Sequence, residues 1–228
     1  MKLLKYDFCQ YFEVKIMYNL QLKENFKIFI SGPSRCGKTF FVVDLLQNLF
    51  DIAKTPPKII IYIYKIWQWK FDEMKTVNIF LKDNDDVIDK LKQYARGMPI
   101  LVIFDDMIDS KSINDIAPLF TVDARHMNMS LIFLSQRIFV NNEYFRQISQ
   151  NSDYFVLFKN PRNSSEIRTL ATQITPGNLS LVNIYMEATK EPFSYLFINL
   201  TQEVKSETKY LSDLFKKDHV VKAYLEKH

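Results

Sequence analysis

The chain has 228 residues, 47% of them hydrophobic, and sets 30 basic against 26 acidic residues for a net charge of +4. That is enough apolar material for one substantial core without a disulfide or metal staple, and a charge too balanced to announce a nucleic-acid protein, although a local basic surface stays open. Its two cysteines, Cys9 and Cys36, form neither a CxxC pair nor a Cys/His cluster, so no disulfide framework or zinc site is expected and a reducing, intracellular setting follows.

The first 26 residues are interrupted by charges every few positions and contain no apolar stretch of signal-peptide length. The longest apolar runs fall far short of the roughly 20 residues of a membrane span, so the chain reads as soluble, with no membrane partner. In chain order, runs rich in β-branched and aromatic residues at 27–30, 58–64, 100–104, 130–135, 154–159 and 193–200 read as strands. Helical spacing of apolar residues is expected at 38–50, 85–94, 113–124, 141–150, 164–173 and 212–227. The first five strand runs lack in/out alternation, and Ile100-Leu101-Val102-Ile103-Phe104 is apolar throughout. A strand of that kind is buried on both faces, which implies an α/β fold with a mainly parallel twisted sheet and helices on both faces. The Pro56-Pro57 and Pro176-Gly177 stretches are turns within one unit rather than boundaries.

The segment Gly32-Pro33-Ser34-Arg35-Cys36-Gly37-Lys38-Thr39 matches G-x-x-x-x-G-K-[ST] and lies between the first of these strands and the first helix. Glycines let the backbone wrap a phosphate so that successive N–H groups point at its oxygens, and the helix N-terminus adds favourable charge. Lys38 then reaches the β- and γ-phosphates and the Thr39 hydroxyl binds Mg²⁺. Only four glycines occur in the chain and two stand at the required positions, which argues against an incidental match. Cys36 occupies a variable position of the motif.

The strand at 100–104 ends in Asp105-Asp106. An apolar strand closing on two carboxylates supplies one acid, Asp105, to orient the Mg²⁺ shell and a second, Asp106, to act as general base toward water. Leu131-Ile132-Phe133-Leu134-Ser135-Gln136 is a further buried strand with a polar end. If it lies between the Asp105 strand and the phosphate-loop strand, Gln136 stands beside the γ-phosphate and can sense it or orient water. Arg125, in Asp123-Ala124-Arg125-His126-Met127-Asn128, is a candidate arginine finger acting across a subunit interface, and His126 reads as a packing neighbour.

Taken together, GPSRCGKTFFVVDLL, LVIFDDM and FTVDARHMNMSLIFLSQ resemble the poxvirus-like genome-packaging ATPases of the HerA/FtsK superfamily, the type shared by Polinton/Maverick elements, adintoviruses and virophages. The resemblance covers residues 26–200. It implies a RecA-like ASCE core with strand order 5-1-4-3-2 plus a C-terminal edge strand. Residues 1–26 then form an N-terminal extension, 27–200 the P-loop ATPase domain, and 201–228 a C-terminal helical tail. It also implies a homo-oligomeric ring that hydrolyses ATP with Mg²⁺ to push double-stranded DNA, without sequence specificity, into a preformed capsid. Capsid or portal-vertex proteins become partners, and the host-cell site of virion assembly, nuclear or cytoplasmic, or the virion itself, becomes the location. The family's finger falls near Arg125, with Arg162 and Arg168 as competitors. The second acid is Asp where Glu is common elsewhere in the superfamily, and a double Asp is familiar in this viral branch. A small nucleoside kinase suits the length but lacks a convincing Arg-rich lid, and a nucleotide-binding adaptor does not explain the double acid.

DNA contacts are expected on loops of the core, with Lys82 and Lys111 as candidates. Lys65-Ile66-Trp67-Gln68-Trp69-Lys70-Phe71 interleaves basic and aromatic residues, a pattern that stacks on bases or packs at an edge or subunit contact. The basic stretch from Lys216 to Leu225 is expected as an amphipathic helix that docks on a neighbour or stays solvated.

Overall fold

The computed structural model describes residues 11–84, 86–94, 97–108, 112–162, 164–215 and 220–226. Cys9, Lys111 and the 216–219 part of the basic C-terminal stretch lie outside them. Ten strands form one sheet in the order β1-β10-β9-β8-β7-β2-β6-β5-β3-β4. At its centre β7 (Tyr154–Phe158), β2 (Lys27–Ser31), β6 (Met129–Ser135), β5 (Ile100–Asp105) and β3 (Ile59–Tyr64) run parallel. These are the five expected strands in the expected 5-1-4-3-2 arrangement. The short β4 (Ile79–Lys82) extends the parallel part beyond β3.

Every residue of β5, β6 and β7 is buried, because both faces of the sheet are covered. One face packs α2 (Val87–Tyr94), α3 (Ile113–Pro118), α5 (Glu143–Gln150), α6 (Ser164–Ile174) and α7 (Ser180–Ala188) against Phe29, Phe104, Phe133 and their neighbours. The other is covered by α1 (Lys38–Ile52), assisted by Leu20, Leu22, Phe26, Phe71 and Met74. The expected helix at 113–124 is interrupted: after α3 the backbone widens into a π turn over Leu119–Asp123 and closes with the three-residue α4 (Ala124–His126). Pro118, which has no amide to donate, sits at that junction.

Beyond β7 the sheet turns antiparallel through β8 (Tyr195–Asn199), β9 (Tyr210–Ser212), β10 (Val220–Glu226) and β1 (Tyr11–Met17). Three expectations are corrected here. Residues 220–226 form a strand, not a helix. The strand at 193–200 is interior rather than the edge. The segments read as an N-terminal extension and a C-terminal tail meet each other across β1 and β10 in the central sheet. The C-terminal error has a plain cause. The lysines fit a basic helical face, but Val221 and Ala223 alternate into the core while Lys222 points to the opposite face of the sheet, where its ammonium pairs with Glu13 of the neighbouring strand at 3.5 Å. Among the described residues no helix is long and apolar enough to cross a membrane.

Candidate nucleotide site

The parallel strands all end at one edge, and there the chain changes from apolar to polar within a residue or two. After β2 the loop turns through Arg35 and Gly37, both with positive φ (65° and 113°), into α1. No side chain caps α1 and its first turn carries no acid, so the amides of that turn are left for an anion. Lys38 folds back over the loop, its ammonium donating to the carbonyls of Gly32 at 2.6 Å and Pro33 at 3.0 Å. Gly32 is required for space: a Cβ there would lie 2.6 Å from both Cys36 Sγ and Phe158 Cβ. Burial pushes the Cys36 thiol up, with Lys38 partly opposing the shift, which favours a neutral packing group over a reactive thiolate.

Asp105 closes β5 at only 7% exposure. Burial pushes its carboxyl up, the adjacent Asp106 charge adds to that, and the Tyr62 hydroxyl and Lys38 oppose it. One carboxylate oxygen accepts from Tyr62 Oη at 3.0 Å and from Gln68 Nε2 at 3.2 Å. Asp106 turns the chain with φ 58°, a left-handed conformation that aspartate tolerates better than most residues. Its amide donates to the Leu134 carbonyl of β6 at 3.2 Å, and its carboxylate accepts from Gln136 Nε2 at 2.9 Å. Gln136 is carried into position by β6, which lies between β2 and β5. Asp105, Asp106 and Gln136 thus line one cleft of about 380 Å³ with Ser34, Arg35, Gly37, Lys38 and Thr39.

The remaining expected residues lie elsewhere. Arg125 is on α4, and β6 begins at Met129 and runs toward the cleft, so the Arg125 backbone is at the far end of a strand roughly 20 Å long. His126 beside it is exposed rather than packed. Arg162 and Arg168 are exposed beyond the C-terminal end of β7. Lys82 ends the edge strand β4 and is exposed. Two partners of Asp105 escaped the sequence reading, although a signal for one existed: Tyr62 is the tyrosine flanked on both sides by isoleucine within the run Ile59–Tyr64, and a buried phenol must find a partner. Gln68 carried no comparable signal.

The family model described as Poxvirus A32 protein matches residues 13–149, a span that holds the phosphate loop, both aspartates, Arg125 and Gln136 and covers more than half of the chain. The chain belongs to the poxvirus A32 protein family. No curated protein sequence matches this A32-family chain. Among solved structures it is similar to EssC (ATPases 2 and 3) from Geobacillus thermodenitrificans, with TM-score 0.54 and 13% identity over 89% of this chain and 40% of that one. It is also similar to Thermomonospora curvata EccC (ATPases 2 and 3) in complex with a signal sequence peptide, with TM-score 0.52 and 11% identity over 90% and 37%. The cytoplasmic domain of the Type VII secretion ATPase EccC from the same organism gives TM-score 0.52 and 13% identity over 89% and 25%. At these identities the likeness is one of fold, that of P-loop ATPases, and the chain spans between a quarter and two fifths of the length of these proteins.

The Tyr62 contact has a measurable consequence. A hydrogen bond from its hydroxyl favours the ionised form of Asp105, so Tyr62→Phe raises that pKa further. The acid-side loss of ATPase activity is then expected to begin at higher pH than in the wild type. A kcat/KM profile whose acid limb is the same in both proteins contradicts this role.

Proposed function

We propose that this A32-family ATPase is a motor that couples ATP hydrolysis to translocation of double-stranded DNA, packaging a viral or virus-like transposon genome as a homo-oligomeric ring. The observation that carries the reading is the pairing of Asp106 with Gln136 beside the phosphate loop. A binding module needs the loop alone. A hydrolase also needs a base and a polar group facing water and the γ-phosphate.

The donor set suits a nucleotide triphosphate with Mg²⁺. Magnesium takes few protein ligands and keeps phosphate oxygens and water in its shell, so the Thr39 hydroxyl and the Asp105 carboxylate suffice to hold it. Bound there, the ion would neutralise charge developing on the phosphates. Lys38 binds the β- and γ-phosphates, Asp106 takes the proton of the attacking water, and Gln136 orients that water or reports the γ-phosphate. Gln136 already donates to Asp106, so base and sensor act as a unit.

Arg125 completes a neighbour's site in this reading. Its backbone is at the opposite end of β6 from its own phosphate loop, which makes service within its own subunit implausible and service in trans natural for a ring. Arg162 and Arg168 are the competing fingers. DNA is gripped by basic groups on loops without base readout, with Lys82 on the edge strand and Lys111 as candidates. Capsid or portal-vertex proteins are the assembly partners, at the site of virion assembly.

Two experiments test this reading. In triplex displacement, the wild type strips a third strand from duplex DNA only when ATP is supplied. Asp106→Asn binds ATP but strips none, with turnover lowered by about 10²–10⁴-fold. Wild-type turnover in that variant would move the base elsewhere, and no displacement by the wild type would sink translocation. In subunit mixing, inactive Arg125→Ala and inactive Lys38→Ala proteins together recover part of the ATPase activity. No recovery at any ratio removes Arg125 from the neighbouring site.

A further inference from the structure

Some residues that line the cleft are left unused by the hydrolytic roles. Among them are Phe40, Gln68, Trp69 and Lys70. Phe40 follows Thr39 on the first turn of α1 and is 54% exposed, and Trp69 opens the 3₁₀ turn Trp69–Glu73 after β3 and is 69% exposed. Two large apolar rings left open beside a phosphate site are costly unless something covers them.

The loop holds its aromatic residues in two different ways. Trp67 packs edge-on against Tyr64, Phe71 and Phe80, with ring centres 5.2–5.3 Å apart. It is therefore an edge-packing residue, one of the two outcomes expected for this stretch. Trp69 has no aromatic neighbour of that kind among the described residues. Its backbone is nevertheless anchored on both sides, by Gln68, which donates to Asp105, and by Phe71, which is buried against Tyr62. The Trp69 ring is thus presented to the cleft by a fixed loop.

The Lys70 side chain, only 13% exposed and ion-paired to Glu73, carries its ammonium 4.3 Å from the Phe40 ring centre and 5.0 Å from that of Trp69. One cation in contact with both rings brings Phe40 and Trp69 together at one place in the cleft. A triphosphate held by Lys38 carries a base that needs an apolar face near the phosphate site. Phe40 and Trp69 are the aromatic faces among the residues that line the cleft.

We propose that Trp69 is the stacking face for the nucleobase of the bound triphosphate, with Phe40 and the Lys70 stem beside it. The proposal rests on the reading that Gly32–Thr39 holds the triphosphate. Recognition by ring stacking reads area rather than hydrogen-bond pattern, so the site accepts any nucleotide and favours purine over pyrimidine by the larger stacked area.

Trp67 and Trp69 are the only tryptophans in the chain, so Trp67→Phe leaves Trp69 as the sole indole reporter. ATP is expected to quench its fluorescence, CTP to do so weakly, and inorganic tripolyphosphate to compete with ATP without quenching. Because Trp67 is itself packed, the second arm uses otherwise wild-type protein. There Trp69→Ala raises KM for ATP by roughly 10-fold or more, moves kcat far less and leaves inhibition by tripolyphosphate at its wild-type strength, while Trp69→Phe restores most of the affinity. An unchanged KM in Trp69→Ala overturns the stacking role while tripolyphosphate inhibition preserves the phosphate site. A changed assembly mass with unchanged KM assigns the ring to a subunit contact and also overturns it. Failure of both ATP and tripolyphosphate to bind the wild type removes the phosphate-site reading itself.

Discussion

The Asp105 carboxylate is the point on which the site depends. It sits at the end of a strand whose every residue is buried, where a bare charge would be heavily penalised. What makes it tolerable is a set of partners drawn from different parts of the chain: a phenol from the neighbouring strand β3, an amide from the loop after it, and the Lys38 charge from the phosphate loop. Each contact also does something for chemistry. Tyr62 favours the ionised acid, Gln68 ties the loop carrying Trp69 to the carboxylate proposed to hold the metal, and Lys38 joins the acid to the glycine-rich loop. A group that costs stability to bury thereby holds β3, β5, the Gln68 loop and the start of α1 in fixed relation.

The sheet supplies the frame for this. Five parallel strands with apolar sides on both faces bring their C-terminal ends to one edge, and β6 between β2 and β5 delivers Gln136 next to Asp106. The antiparallel continuation through β8, β9, β10 and β1 widens the sheet on the side away from Asp105. Tyr185 of α7 braces the end of β7, donating to the Phe158 carbonyl at 2.9 Å and accepting from the Asn160 amide at 2.8 Å. Phe158 in turn packs against the glycines of the Gly32–Thr39 loop, so the added helix and strands brace that loop.

Much of this was legible in the sequence because the strongest signals are local. An all-apolar strand followed by two acids, and a G-x-x-x-x-G-K-T between strand and helix, each state their chemistry within a few residues, and the order of the five parallel strands followed from the resemblance those motifs carry. What was missed depends on pairing at a distance. Val220–Glu226 could be read as a basic helix or as a strand, and only its partner β1 decides, since Glu13 and the core-facing side chains opposite give Lys222 and Val221 their places. The contact of Gln68 with Asp105, 37 positions away, left no local trace, and the bare interleaving of Lys65–Phe71 did not distinguish the packed Trp67 from the presented Trp69.

Movement along DNA, the function proposed for this site, is read out by the initial rate of ATP hydrolysis by the full chain without and with linear double-stranded DNA, across a salt series. A slow basal rate, accelerated by the duplex and losing that acceleration as salt rises because the contacts are to phosphates, is the predicted result. A rate indifferent to duplex DNA at low salt, accompanied by phosphoryl transfer to a nucleoside, would contradict it.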